Sequence, residues 1–264
     1  MRIKFIDENL VGQPGLSRYI DPRTNWQKEI EEYDICIYTD KFCFGDVDDS
    51  KINYAWIIEP PIINGENYIN ITKHSDKFKS VFSYYRNLQN SINNFVYLPH
   101  GGTWLREQDI GIHAKYKLVS SIFSNKNWNP YHRMRFRIHD RLKDSLVEFY
   151  GSGCDNPLEY KIFGLKDYMF SIVVENSIES DYFTEKLLDC FLTGTIPIYC
   201  GSKSVSNYFD TEGIIFFDGD EDLPEILNNI NKDLYHHKKD TIVKNFTLAH
   251  NYIHPEQKIN ELIQ

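Results

Sequence analysis

At 264 residues with 41% hydrophobic side chains, the chain holds material for two modest domains with sizeable cores, and its composition gives no sign of disorder. A formal net charge of −9 excludes a broadly basic nucleic-acid-binding face, so the cations that matter must act locally. No stretch approaches the roughly 18 apolar residues needed to cross a bilayer, no basic amphipathic tail follows Gln264, and Cys36, Cys43, Cys154, Cys190 and Cys200 form no close metal-type pairs; the expectation is a cytoplasmic protein with reduced thiols, at most peripheral to a membrane.

Apolar, β-branched runs alternate with helical patterns along the first part of the chain, over residues 3–6, 26–33, 34–38, 78–84 and 95–98. Residues 53–61, Asn-Tyr-Ala-Trp-Ile-Ile-Glu-Pro-Pro, read as a strand that ends on Glu59 just before a proline turn. Glycines and polar residues interrupt the pattern over 99–111. We therefore expect an N-terminal α/β domain over 1–105 and a C-terminal α/β domain over 106–264, with a last helix near 255–263 crossing back to the first.

In the second part, residues 117–123 and 146–151 read as strands around a helix that carries Arg133, Arg135, Arg137 and Arg141. Residues 169–174 and 195–199 read as buried parallel strands. Between them Phe183, Leu187, Leu188, Phe191 and Leu192 recur at helical spacing, with Thr184, Glu185, Lys186 and Asp189 on the other side. Ser180 or Asp181 reads as the helix cap and Gly194 as its end. A helix that starts after the carboxyl end of a parallel strand points free N–H groups and the positive end of its dipole at an anionic ligand. Lys186 adds a full charge. Taken alone, Glu185 and Lys186 fit a solvated helix face equally well, but Glu175-Asn176-Ser177 places polar residues where open α/β sheets bind ligands.

Other chemistry is less well supported by the pattern. Asp46-Val-Asp48 and Asp218-Gly-Asp220 have the spacing of a divalent-metal clamp, yet the second also reads as a turn that caps a helix over 223–230. The nine histidines give no pair on a helix face with a nearby carboxylate, and no Gly-x-Ser-x-Gly elbow occurs.

Glu175-Asn176-Ser177, then Asp181-Tyr-Phe-Thr-Glu-Lys-Leu187, then Gly194-Thr-Ile-Pro-Ile-Tyr199 and Gly201-Ser202 together resemble the sugar-nucleotide signature of the α-1,3-fucosyltransferases, glycosyltransferase family 10. The resemblance implies a GT-B-like α/β fold, two Rossmann-like domains facing across a cleft. It implies inverting transfer of fucose from GDP-fucose to a glycan hydroxyl, with no cofactor required. On that resemblance Glu59 is the general base, and Arg133 or Arg135 lies against the diphosphate. Glu175, Asn176, Ser177, Tyr182, Thr184, Glu185 and Lys186 then form the donor site, with Glu185 a second catalytic carboxylate. The rival readings are a metal-dependent transferase using Asp218 and Asp220, and a non-catalytic relative that binds the donor without turnover.

Overall fold

The computed structural model describes residues 2–7, 15–21 and 24–264. A first sheet contains β1 (Ile3–Ile6), β2 (Trp26–Gln27), β3 (Ile35–Thr39), β4 (Ile52–Ile57), β5 (Ser80–Ser83) and β6 (Phe95–Tyr97), in the spatial order β2-β1-β3-β4-β5-β6. A second contains β7 (Lys117–Ile122), β8 (Val147–Tyr150), β9 (Tyr168–Val174), β10 (Ile196–Cys200) and β11 (Ile215–Phe216), in the order β11-β10-β9-β7-β8. Every strand pairing is parallel.

Counted along the chain, the second sheet follows the doubly wound order 2-1-3-4-5 and the first extends it by one strand, 2-1-3-4-5-6. Each reverses its winding between its first and third strands, here β1 and β3, then β7 and β9. Such a switch point leaves a crevice outside the carboxyl ends of the strands, where ligands of open α/β sheets bind. The expected α/β class with two Rossmann-like sheets is what the structure has.

The central strands β3, β9 and β10 are buried at every residue, which their near-continuous apolar sequence requires of strands covered on both faces. Covering elements include α1 (Pro61–His74), α2 (Pro130–Leu142), α3 (Glu185–Phe191), α4 (Leu223–Asn229), α5 (Lys232–His237) and α6 (Lys239–Ala249). The final helix, α7 (Pro255–Ile263), packs Ile259 and Ile263 into the core of the first sheet with Ile3, Phe5 and Trp56, and Trp26 Nε1 donates to Asn260 Oδ1 at 3.2 Å.

The chain thus crosses between sheets twice, and the two crossings touch: Gly102 N–H donates to Tyr252 O at 2.9 Å. Gly102 sits at φ +83 with its α-carbon against Leu16, so a β-carbon there would be both strained and in collision.

Two local expectations need correction. Residues 26–33 give only the short edge strand β2. The start of α3 lies later than Ser180 or Asp181: Thr184 is the cap, with φ −128 and ψ −173, its Oγ1 accepting from Lys186 N–H at 3.2 Å. Asp181 instead stands in a left-handed turn at φ +64, where Ser204 Oγ accepts its N–H and Arg86 pairs with its carboxylate at 2.7 Å.

Candidate active site

Both switch points open onto one cleft of about 530 Å³. From the first sheet come Asp40, directly after β3, and Glu59, two residues beyond β4. From the second come Arg135 on α2, Asn176 after β9, and Tyr182, Thr184, Glu185 and Lys186 at the start of α3.

The second-sheet wall is built around Asn176. Asn129 caps α2, accepting the His132 N–H at 2.8 Å, and its Nδ2 donates to Asn176 O at 3.1 Å. That cap fixes the phase of the helix, which turns about 100° per residue. Arg135 consequently points inward, 7% exposed, donating to Val174 O at 2.6 Å and to Asn176 Oδ1 at 2.8 Å. Arg133, about 200° round the helix, points outward and meets only Asn127 O and Trp128 O at 3.4 Å. Of the two arginines, the structure brings Arg135 to the cleft. His132 Nε2 also reaches Asn176 Oδ1, at 3.1 Å, so this oxygen is fully engaged and the amide nitrogen is what Asn176 has left to offer.

At the head of α3 the four polar side chains divide between support and surface. Glu175 is fully buried and accepts Thr184 N–H at 3.0 Å and Thr184 Oγ1 at 2.8 Å, with Lys186 Nζ 3.7 Å away. It holds the helix start from behind rather than lining the cleft. Ser177 likewise is buried in the turn after β9, its Oγ accepting Glu179 N–H at 3.3 Å. Both depart from the donor-contact role expected of them, because their oxygens already serve the backbone that shapes the site.

Lys186 Nζ lies 3.1 Å from Glu185 Oε1 and 3.1 Å from Thr184 Oγ1. Burial favours the neutral Glu185 carboxyl, but Lys186 and Lys161 outweigh it and hold the group at about 2. Glu185 is therefore a fixed negative charge at neutral pH. Glu59 behaves oppositely: burial pushes its pKa above the ordinary carboxylate range, and Lys186 and Lys126 only partly pull it back.

Asp40, His100, Lys126 and Lys161 are among the cleft residues that escaped the sequence reading. Asp40 had a signal, since it follows a parallel strand as Glu59 does. His100 lies in the segment read as a domain boundary; Gly101 N–H donates to its Nδ1 at 2.8 Å, which leaves the ring proton on Nε2. Burial, resisted by Glu185, lowers its pKa to about 4, so it is neutral at neutral pH and packs edge-on against Tyr182 at 5.3 Å.

Lys161 is held by Asp189 at 2.7 Å and donates to Glu185 O at 3.2 Å. Burial would lower its pKa, but Asp189 and Glu185 raise it further. Asp189 also accepts from Thr103 Oγ1 and from Trp104 N–H, at 3.2 Å for the latter, so α3 is pinned to the crossing segment through one carboxylate. The face of α3 opposite its apolar stripe is thus occupied by protein, not by water. Replacing Asp189 with Ala strands a buried ammonium and should cost about 3–5 kcal/mol in denaturant unfolding. A loss below about 1 kcal/mol would show that Lys161 simply moves to solvent.

Asp220, offered above as half of a metal clamp, is engaged by Arg137 at 2.9 Å and Arg141 at 3.0 Å, while Asp222 Oδ2 accepts the N–H groups of Asp218 and Gly219 before α4. Among the described residues no group of three His, Cys, Asp or Glu side chains is placed to hold a metal ion.

A family model described as glycosyltransferase family 10 (fucosyltransferase), C-terminal, matches residues 112–248, more than half of the chain. The chain belongs to glycosyltransferase family 10. The matched span contains Arg135, Asn176, Glu185 and Lys186, whereas Asp40, Glu59 and His100 precede it. Among curated relatives, the mouse (Mus musculus) 4-galactosyl-N-acetylglucosaminide 3-alpha-L-fucosyltransferase 9 is 31% identical over 128 residues, 46% of this chain and 35% of that protein. The Helicobacter pylori alpha-(1,3)-fucosyltransferase FucT is 31% identical over 114 residues, 42% of this chain and 24% of that protein. The aligned stretch thus spans about a third or less of these family members.

Among solved structures, an alpha1,3-fucosyltransferase with GDP-fucose matches at TM-score 0.53 and 18% identity, covering 83% of this chain and 72% of that one. Anabaena Alr3699/HepE in complex with UDP-glucose matches at TM-score 0.57 and 13% identity, covering 88% and 78%. These place the fold among the GT-B glycosyltransferases.

Proposed function

We propose that this chain is an inverting glycosyltransferase that moves L-fucose from GDP-fucose to a glycan hydroxyl, forming an α-1,3 linkage. The observation that carries the reading is the division of one cleft: a carboxylate of raised pKa on the first-sheet side, and Arg135, Asn176 and Lys186 on the second.

A sugar hydroxyl is a poor nucleophile near neutral pH, so transfer needs a base that removes its proton as it attacks. Glu59 supplies it. The hydroxyl oxygen attacks the anomeric carbon from the face opposite GDP, the bond to the diphosphate oxygen breaks, and the configuration inverts. Negative charge grows on the diphosphate as it leaves. Arg135, fixed by Val174 O and Asn176, and Lys186, at the positive end of α3, are the preorganised charges that stabilise it. Glu185, ionised beside Lys186, favours the partial positive charge that develops on the sugar ring. Lys161 and the neutral His100 extend the same wall.

No metal enters this mechanism, and the N-terminal half holds the acceptor. The relatives named for 4-galactosyl-N-acetylglucosaminides make N-acetyllactosamine the first acceptor to try. Cytoplasmic residence remains part of the reading.

The test is thermal stabilisation by GDP, UDP, ADP and CMP, each with and without EDTA. A ligand at 100 times its Kd adds about 2.7 kcal/mol, so GDP alone should raise the Tm, equally in both buffers. A UDP shift that EDTA removes would replace this reading with a metal-dependent one.

A further inference from the structure

Asp40 is 3% exposed, yet it lines the cleft at the switch point of the first sheet. Its Oδ1 accepts three hydrogen bonds: from Ile58 N–H at 3.0 Å, Glu59 N–H at 3.2 Å and Asn67 Nδ2 at 3.2 Å. Its backbone is held at φ +44, in the left-handed region that few residues other than glycine occupy. Among the described residues no donor reaches Oδ2. Oδ2 is not among the buried atoms that lack a partner, so in a residue that lines the cleft it is the oxygen left open to a ligand or to water.

The mechanism above does not use this group. It already has its base in Glu59, but it assigns no residue of the N-terminal half to hold the acceptor in place. A sugar carries several O–H or amide N–H donors a few ångströms apart, and a single carboxylate oxygen matches one of them.

We propose that Asp40 is an acceptor-positioning residue, its Oδ2 accepting a hydrogen bond from a hydroxyl or amide N–H next to the hydroxyl that Glu59 deprotonates. This rests on the fucosyl-transfer reading and adds a substrate class to it: acceptors with a second donor group beside the site of transfer. One carboxylate serves both sides of the contact. Oδ1 grips the peptide N–H groups that set the position of Glu59, and Oδ2 grips the sugar, so base and nucleophile are held in register by a single planar group.

Among the described residues, the titratable groups that face Asp40 are Glu59 beyond β4, Asp7 beyond β1, Cys43 in the turn after β3 and Tyr68 on α1. Burial pushes Asp40 up to about 7, the two carboxylates add to the rise, and the bonds from Ile58 and Glu59 oppose it. An ionised carboxylate is the stronger acceptor, so affinity for the acceptor should increase as pH rises through neutrality.

The experiment titrates N-acetyllactosamine into the GDP-bound chain and follows binding by NMR, which needs no turnover. Asp40→Asn keeps the Oδ1 contacts and turns Oδ2 into an amide donor. Disaccharide Kd should rise about 10–100-fold with GDP affinity unchanged, and the fall of Kd from about pH 6 to 8 in the parent chain should shrink in the variant to the part that Glu59 contributes. An unchanged Kd in D40N overturns the assignment. A parent chain whose disaccharide Kd is flat over that range, or which binds GDP but not the disaccharide, overturns it too, even where D40N fails to fold. A parent chain that binds no GDP overturns the fucosyl-transfer reading instead.

Discussion

Exchange of Glu59 for Gln is expected to lower kcat by about 10²–10⁴-fold, the usual worth of a general base, with GDP-fucose affinity intact. Gln keeps the size and the hydrogen-bonding capacity of the side chain but cannot take up the proton. Because Glu59 must be ionised to act, kcat/KM in the parent chain should climb with pH through the pKa of this carboxylate. Burial places that limb above the ordinary carboxylate range. Glu185, held at about 2, stays ionised throughout and contributes nothing to it. Loss of donor binding in E59Q, equal to the loss of rate, would show that Glu59 contacts the nucleotide and is not the base.

Lys186→Ala should weaken GDP-fucose binding and lower kcat together, by about 10²–10³-fold in kcat, as the removal of one preorganised donor does elsewhere. Two further effects follow from its neighbours. Glu185 loses the nearer of its cations, and buried Glu175 keeps only the neutral donors of Thr184 and Tyr199. Glu59 loses its strongest pull toward ionisation, so the ascending limb of the pH profile should move to higher pH. Calorimetry with GDP and a pH–rate profile check both. An unchanged limb would mean that the charge of Lys186 is screened from Glu59 by water, and would separate the two halves of the proposed site.

The second-sheet half of the site was legible because its chemistry is local. A buried strand, three polar residues and a helix start within one strand–turn–helix unit are enough to place Asn176, Thr184 and Lys186 around one crevice. What the pattern does not carry is helical phase and depth. Arg133 and Arg135 differ by two positions in sequence and by about 200° in space, and the Asn129 cap that decides between them is a single polar residue. Glu175 and Glu185 look alike in sequence, but one is sealed beneath Thr184 and the other faces the cleft. His100 and Lys161 arrive from an irregular crossing and a short turn, where no periodicity marks them. The Asp181 cap failed for a similar reason: its partners are Arg86 and Ser204, distant in sequence, and they fix a left-handed turn that a local reading takes for a helix start.

The contact between Gly102 and Tyr252 has a mechanical meaning. Two tethers set far apart would clamp the halves of the molecule rigidly, and a single tether would let them twist freely. Two tethers lying side by side act as one pin, and leave a swing about that line as the soft motion. Such a swing would have to part the Arg86–Asp181 pair and the Tyr97–Tyr208 contact, the ties that join the two halves away from that line.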